Sequence, residues 1–112
     1  MKKTVNVAIM GIGTVGGGTY EILTGNHDFL LRTQGIDFRV KKVLDKNLDR
    51  IRSFGIPESA AAASVDEIAA DKDISVVVET MGGVEPAKTF IEKVLLSGKS
   101  VVTANKELVS KH

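Results

Sequence analysis

At 112 residues and 12.0 kDa the chain has room for one compact domain with a real core, and it is short for a complete two-substrate enzyme. Hydrophobic residues make up 43% against 26% charged, which excludes disordered and fibrous classes. Lys and Arg total 15 against 14 Asp and Glu with the bases scattered, which argues against nucleic acid, and the absence of Cys removes disulfides, thiolate metal sites and a cysteine nucleophile.

In chain order, Met1-Lys2-Lys3 ahead of Thr4 to Met10 has the outline of a signal peptide, but Asn6 interrupts the apolar run and Gly11 ends it early. No run approaches the ~20 apolar residues that cross a bilayer, so a cytoplasmic protein without a membrane partner is expected. Val5 to Met10 instead reads as a buried parallel strand, apolar and ending abruptly at glycine. Val15, Thr19, Ile22 and Leu23 then recur at helical spacing, with Gly25-Asn26 as a stop.

His27 to Gly35 either extends that helix or forms a separate turn before a second strand, Phe38 to Leu44. Leu48 and Ile51 suggest a short helix after Asp45, and Ala60 to Ala63 a weak edge strand. Ser64 and Glu67 match a capping box and open a short helix to about Ala70. Ile74 to Val78, rich in β-branched residues, predicts a fully buried strand. Pro86 fits the first position of a helix whose apolar face is Ala87, Phe90, Ile91, Val94 and Leu95 and which Gly98 closes. Ser100 to Val102 is another strand, and Thr103 or Asn105 can cap a last helix from Lys106. Strands alternating with helices imply parallel strands and right-handed crossovers, hence an α/β doubly wound sheet of Rossmann type, incomplete at its C-terminal end.

Gly11-Ile12-Gly13-Thr14-Val15-Gly16 matches G-x-G-x-x-G between a predicted strand and a predicted helix, the context a dinucleotide fingerprint requires. Gly11 permits the tight turn, Gly13 lets the backbone approach a pyrophosphate, and Gly16 lets the helix pack on the strand. Amides at the helix N-terminus then meet the phosphates. The competing reading is a glycine-rich turn with no ligand. Gly17 and Gly18 are costly in a first helical turn, and close packing is one explanation for them.

Asp45 stands where an acid normally holds the adenosine ribose, although a solvated Asp starting a turn is the plainer alternative. Its neighbour Lys46 would attract the 2′-phosphate that Asp45 repels, so NAD and NADP both remain open. Thr80-Met81-Gly82-Gly83 leaves the carboxyl end of a strand at the same sheet edge and should line the dinucleotide. Thr103-Ala104-Asn105-Lys106 leaves the next strand, so Lys106 is either a surface lysine or an ammonium near the nicotinamide end that orients a carbonyl or carboxylate. His27 and His112 have no metal-ligand spacing, and no metal is expected.

Together, Val7 to Gly18, Val77 to Gly83 and Gly98 to Lys106 resemble the homoserine dehydrogenase family over essentially the whole chain, the third segment being the most specific. The resemblance implies hydride transfer between L-homoserine and L-aspartate 4-semialdehyde with NAD(P), in threonine, methionine and isoleucine biosynthesis, by an enzyme that is a homo-oligomer. It also implies that Lys106 lies near nicotinamide and substrate, as a catalytic and cofactor-contacting residue. Members often carry an arginine just before the aspartate that ends the second strand, where this chain has Leu44, which leaves NAD a serious possibility. Residues 1–112 are expected to be the NAD(P)-binding domain, with the substrate domain beyond His112. The amino-acid substrate would then bind only with that domain present, and the chain alone would be inactive. Alternatives are the cofactor domain of an aspartate or aspartate-semialdehyde dehydrogenase and a stand-alone module that senses dinucleotide.

Overall fold

The computed structural model describes residues 3–104. Four parallel strands, β1 (Lys3–Met10), β2 (Ile36–Leu44), β3 (Ile74–Glu79) and β4 (Ser100–Thr103), lie in the order β2-β1-β3-β4. Between them run α1 (Thr14–Gly25), α2 (His27–Gln34), α3 (Leu48–Ser53), a 3-10 turn (Glu58–Ala60), α4 (Val65–Ala70) and α5 (Ala87–Leu96). The chain steps from β1 outward to β2, then crosses back over β1 to β3, so the strand order reverses between β1 and β3. In an open α/β sheet that reversal opens a crevice beyond the strands' carboxyl ends. This is the Rossmann-type architecture that the alternation of elements implies.

The strands are apolar because both faces are covered. Val7 and Ile9 of β1 pack with Ile12, Val43, Ile51, Ile56 and Ala60, joined by Tyr20, Leu23 and Phe54 from α1 and the end of α3. Ala8 and Met10, on the opposite face, pack with Val65, Ile68, Ile74, Val77 and Val94, joined by Phe90 and Ile91 from α5. Ile9, Ile12, Ile51 and Ile68 are among the fully buried side chains, each worth about 1.5–3 kcal/mol of transfer free energy. The core therefore fixes the carboxyl end of β1, from which the glycine loop departs.

Several local expectations need adjustment. His27 to Gln34 is a helix of its own, divided from α1 at Asn26. Ala60 to Ala63 is not a strand: after the 3-10 turn it makes one parallel bridge, Ala61 to Val43, and the Ala62 amide donates to the Val43 carbonyl at 2.8 Å. Alanines place too little apolar surface there to extend the pairing. Ser64 Oγ does accept the Glu67 amide, at 3.3 Å, but the Glu67 carboxylate reaches the Ala63 amide, at 2.7 Å, rather than that of Ser64. Pro86 caps α5 instead of opening it, and α5 ends at Leu96, ahead of Gly98. The anticipated last helix, with Asn105 and Lys106, lies outside the described residues. Among those residues no helix is long and apolar enough to cross a membrane, and no three His, Cys, Asp or Glu side chains gather as a metal site.

Candidate functional site

At the carboxyl ends of β1, β2 and β3 a groove of about 950 Å³ is walled by Gly11, Gly13, Asp45, Thr80, Met81 and Gly82, with Ala62 to Asp66 and Phe90 along its other side. Its volume lies within the ~300–1,000 Å³ usual for ligand sites. Gly11, Gly13, Asp45 and the Thr80 to Gly82 turn, which sequence reasoning nominated from three separate stretches, thus meet at one edge of one sheet. Ile12 is buried under the loop, while Thr14 and Val15 are exposed in the first turn of α1.

The loop's shape depends on two glycines. Gly11 takes φ +96°, and a Cβ there would lie 3.1 Å from Met81 backbone and side-chain atoms. A Cβ on Gly16 would fall 1.8 Å from the Gly11 carbonyl oxygen and 2.6 Å from Thr80 Oγ1. That Thr80 hydroxyl donates to the Gly11 carbonyl at 2.7 Å, and the Thr80 amide donates to the Met10 carbonyl at 2.9 Å. The β3 turn and the glycine loop are therefore locked together, as close helix-on-strand packing requires. Gly13 is different. The nearest atom to a Cβ built on it is Arg50 Nη1 at 3.8 Å, so its missing side chain leaves space over the groove. That open space lies beside the N-terminus of α1, whose free amides could meet an anion.

Gly17 has a packing reason as well: a Cβ there would sit 2.2 Å from the Phe54 ring. Gly18 has none, since nothing lies within 4 Å of its Cβ position.

Asp45 is built into the site rather than merely facing it. Its Oδ2 accepts the Ile12 amide and its Oδ1 the Asn47 amide, both at 2.8 Å, and its side chain is 7% exposed. Each oxygen keeps a further lone pair for a ligand hydroxyl. The Asn47 side chain in turn caps α3 by accepting the Asp49 and Arg50 amides. This chain of bonds holds Arg50 where its Nη1 stands 3.9 Å from Asp45 Oδ2.

Sequence reasoning missed Arg50 and gave Glu79 no role of its own. Glu79 ends β3 fully buried. One of its carboxylate oxygens accepts the Thr103 hydroxyl at 2.6 Å, the other the Met81 amide at 2.7 Å, and its carbonyl accepts the Ala104 amide. It ties the turn after β3 to the end of β4, from which the chain proceeds to Lys106. The signal available was an acid ending an otherwise apolar run, which marks a carboxylate with built-in donors. Lys106, the nominated catalytic residue, lies outside the described residues.

Comparison with known proteins agrees with this geometry. Residues 11–112 match the family model described as homoserine dehydrogenase, NAD binding domain. The homoserine dehydrogenase of Lactococcus lactis is 43% identical over 97% of this chain, which spans 26% of that protein. Among solved structures, the homoserine dehydrogenase of Staphylococcus aureus at pH 7.5 superposes with a TM-score of 0.86 at 33% identity, over 96% of this chain and 27% of its own. That of Thiobacillus denitrificans superposes with a TM-score of 0.87 at 37% identity, over 98% and 25% respectively. The chain thus spans about a quarter of the length of these relatives.

Proposed function

The chain belongs to the homoserine dehydrogenase family, as its NAD-binding domain, and from that premise we propose that it is the cofactor-holding part of an enzyme interconverting L-homoserine and L-aspartate 4-semialdehyde. The observation that carries this reading is the glycine loop, with Gly11 and Gly16 packed against the Thr80 turn while Gly13 stands open to the groove. A pyrophosphate would lie over Gly13 and receive amides of Thr14, Val15 and Gly16. Asp45 would accept a ribose hydroxyl with a lone pair left over from its two backbone bonds. Thr80, Met81 and Gly82 would line the path toward the nicotinamide.

When bound, the nicotinamide would supply a hydride acceptor for the carbinol hydrogen and its bonding pair, and the hydroxyl proton would pass to solvent. This chain's residues bind and orient the cofactor for that exchange. Lys106 is the catalytic residue in this reading, three residues beyond the end of β4, its ammonium orienting the substrate oxygen. Holding an alcohol at about 3–3.5 Å from the nicotinamide contributes ~7–11 kcal/mol of the barrier, and residues of a separate substrate domain supply that hold. The whole protein would be a cytoplasmic homo-oligomer in the synthesis of threonine, methionine and isoleucine.

The 112-residue chain is accordingly expected to bind dinucleotide and not to oxidise homoserine. Fluorescence titration with NADH measures the first, and absorbance of reduced nicotinamide with homoserine and NAD or NADP the second. Turnover retained after Lys106→Ala would show the active site to be misplaced. No dinucleotide binding would remove the cofactor role of this groove.

A further inference from the structure

Among the described residues Glu79 is the only acid with no exposed surface, and its carboxyl group meets two neutral donors from different elements. Burying such a group is costly unless its oxygens have partners held in place. Oε2 accepts the amide of Met81, two residues on in the turn after β3, at 2.7 Å. Oε1 accepts the Thr103 hydroxyl at the end of β4, at 2.6 Å. Strand pairing already sets Glu79 between Met10 of β1 and Thr103 of β4. The side chain adds a second link along the carboxyl edge of the sheet, from β4 to the turn.

That turn walls the groove through Thr80, Met81 and Gly82, whereas no residue of β4 lines it. On the β1 side the turn is fastened by Thr80, whose amide and hydroxyl reach the Met10 and Gly11 carbonyls. On the β4 side the fastening is the Glu79 side chain. Gly82 and Gly83 follow at φ +77° and +72°, so the backbone reverses directly after Met81, and the position of the Met81 amide sets where that reversal points. We propose that Glu79 is a positioning residue for the cofactor, carrying the placement of β4 to Met81 and so setting the turn against which the nicotinamide half lies. The proposal rests on the reading that the groove binds dinucleotide. β4 is also the strand whose sequence continues to Lys106, so the same carboxyl group ties the cofactor's turn to the strand leading to the catalytic residue of that reading. Glu79 acts here through its two acceptor positions rather than its charge. A glutamine keeps both links, its carbonyl oxygen accepting the Met81 amide and its NH2 donating to the Thr103 hydroxyl oxygen.

Titration of the chain with NADH, followed by nicotinamide fluorescence, and with 5′-AMP, followed by amide chemical shifts, tests it. 5′-AMP lacks the nicotinamide half and reports on the Gly13 and Asp45 end of the groove alone. Glu79→Ala is expected to weaken NADH about tenfold while leaving 5′-AMP within about twofold, and Glu79→Gln to restore NADH to within about threefold of wild type. Thr103→Val removes only the hydroxyl and suits a strand, so it carries the test if Glu79→Ala does not fold. It should weaken NADH about threefold and spare 5′-AMP. An equal loss of NADH and 5′-AMP would mean that Glu79 supports the whole groove, and the proposal fails. Glu79→Gln as poor as Glu79→Ala would make the charge, not the tether, responsible and overturn it. NADH affinity unchanged in Glu79→Ala or in Thr103→Val would remove the link from β4 to the turn. If wild type binds 5′-AMP and NADH equally well, the turn does not meet the nicotinamide half, although the groove still holds the adenosine. If wild type binds neither, the dinucleotide reading itself falls and the positioning role falls with it.

Discussion

Asp45 accepts the backbone N–H of Ile12 at 2.8 Å, a bond between residues 33 apart that ties the end of β2 to the glycine loop after β1. One carboxylate thus shapes the loop as well as lining the groove. The amide it satisfies belongs to a fully buried residue, so removing the acceptor leaves a donor without its protein partner.

Asp45→Ala is therefore expected to lower stability by about 1–3 kcal/mol, the cost of an unsatisfied buried donor. Asp45→Asn retains one acceptor and should cost less. Because the amide also carries no negative charge, Asp45→Asn should shift the ratio of affinities toward NADPH. Urea unfolding reads the first effect and calorimetry the second. An unchanged NADPH to NADH ratio would remove Asp45 from the ribose site and leave it a loop anchor only.

Gly13 and Gly16 stand three residues apart in one motif and should fail in opposite ways. A Cβ on Gly16 meets the Gly11 carbonyl at 1.8 Å, backbone against backbone, so Gly16→Ala must displace the loop or α1. Its thermal midpoint should fall. Gly13→Val meets only a flexible guanidinium at 3.8 Å, so the fold should persist while the branched side chain occupies the cradle. Dinucleotide binding should then vanish with little change in unfolding. Retained binding in Gly13→Val would place the phosphate elsewhere.

The parts of this architecture that can be read from sequence are those whose physics is local. Val5 to Met10 and Ile74 to Val78 are apolar apart from Asn6 and Ser75, because helices cover both faces of the sheet, and such runs announce buried strands. The glycine spacing announces its turn because Gly11 takes φ +96° and a Cβ on Gly16 would strike the Gly11 carbonyl, both within the same motif. What could not be read depends on residues distant in sequence. Gly17 makes sense only beside Phe54, and Arg50 is one of several polar residues on a short helix until Asn47 and Asp45 orient it. Glu79 became a linchpin only once β4 brought Thr103 alongside, at the register pairing Glu79 with Thr103. Ala60 to Ala63 misleads because alanine suits strand, helix and turn alike.

The neighbouring glycines of α1 provide a test independent of any ligand. Gly18 lies in the helix with open space at its Cβ position, so Gly18→Ala should stabilise by about 0.4–1 kcal/mol, mainly by reducing the freedom of the unfolded chain. Gly17→Ala would drive a methyl to 2.2 Å from the Phe54 ring and should destabilise instead. Pairing Gly17→Ala with Phe54→Leu should recover part of that loss, because the smaller side chain yields space. Chemical denaturation of the four variants, Gly17→Ala, Gly18→Ala, Phe54→Leu and the double substitution, decides the matter. A Gly17→Ala protein as stable as wild type would mean that Phe54 moves aside freely.

Far from the groove, Asp37 of β2 is a buried acid whose carboxylate accepts from the His27 ring at the start of α2 and from Arg39 Nε at 2.9 Å. The His27 hydrogen bond, opposed in part by burial and reinforced by Arg39, holds the Asp37 carboxyl below the ordinary aspartate range. A group whose folded value is depressed stabilises the native state fully at pH above its unfolded value, which is near 3.9 for aspartate. That stabilisation is lost as pH falls through the lower folded value, because the unfolded chain takes up the proton first. Asp37→Asn should therefore be less stable than wild type near neutrality, since the amide cannot replace a carboxylate between His27 and Arg39. The gap should narrow as pH drops below about 4, where wild-type Asp37 begins to lose its charge advantage. Other acids with depressed values, Glu67 held by the Ala63 amide and Asp71 held by Lys41, titrate in both proteins and cancel from the difference. Urea midpoints of wild type and Asp37→Asn measured from pH 7 down to pH 3 give that difference directly. A gap that stays constant or widens into acid would show that the Asp37 charge does not anchor α2 to β2.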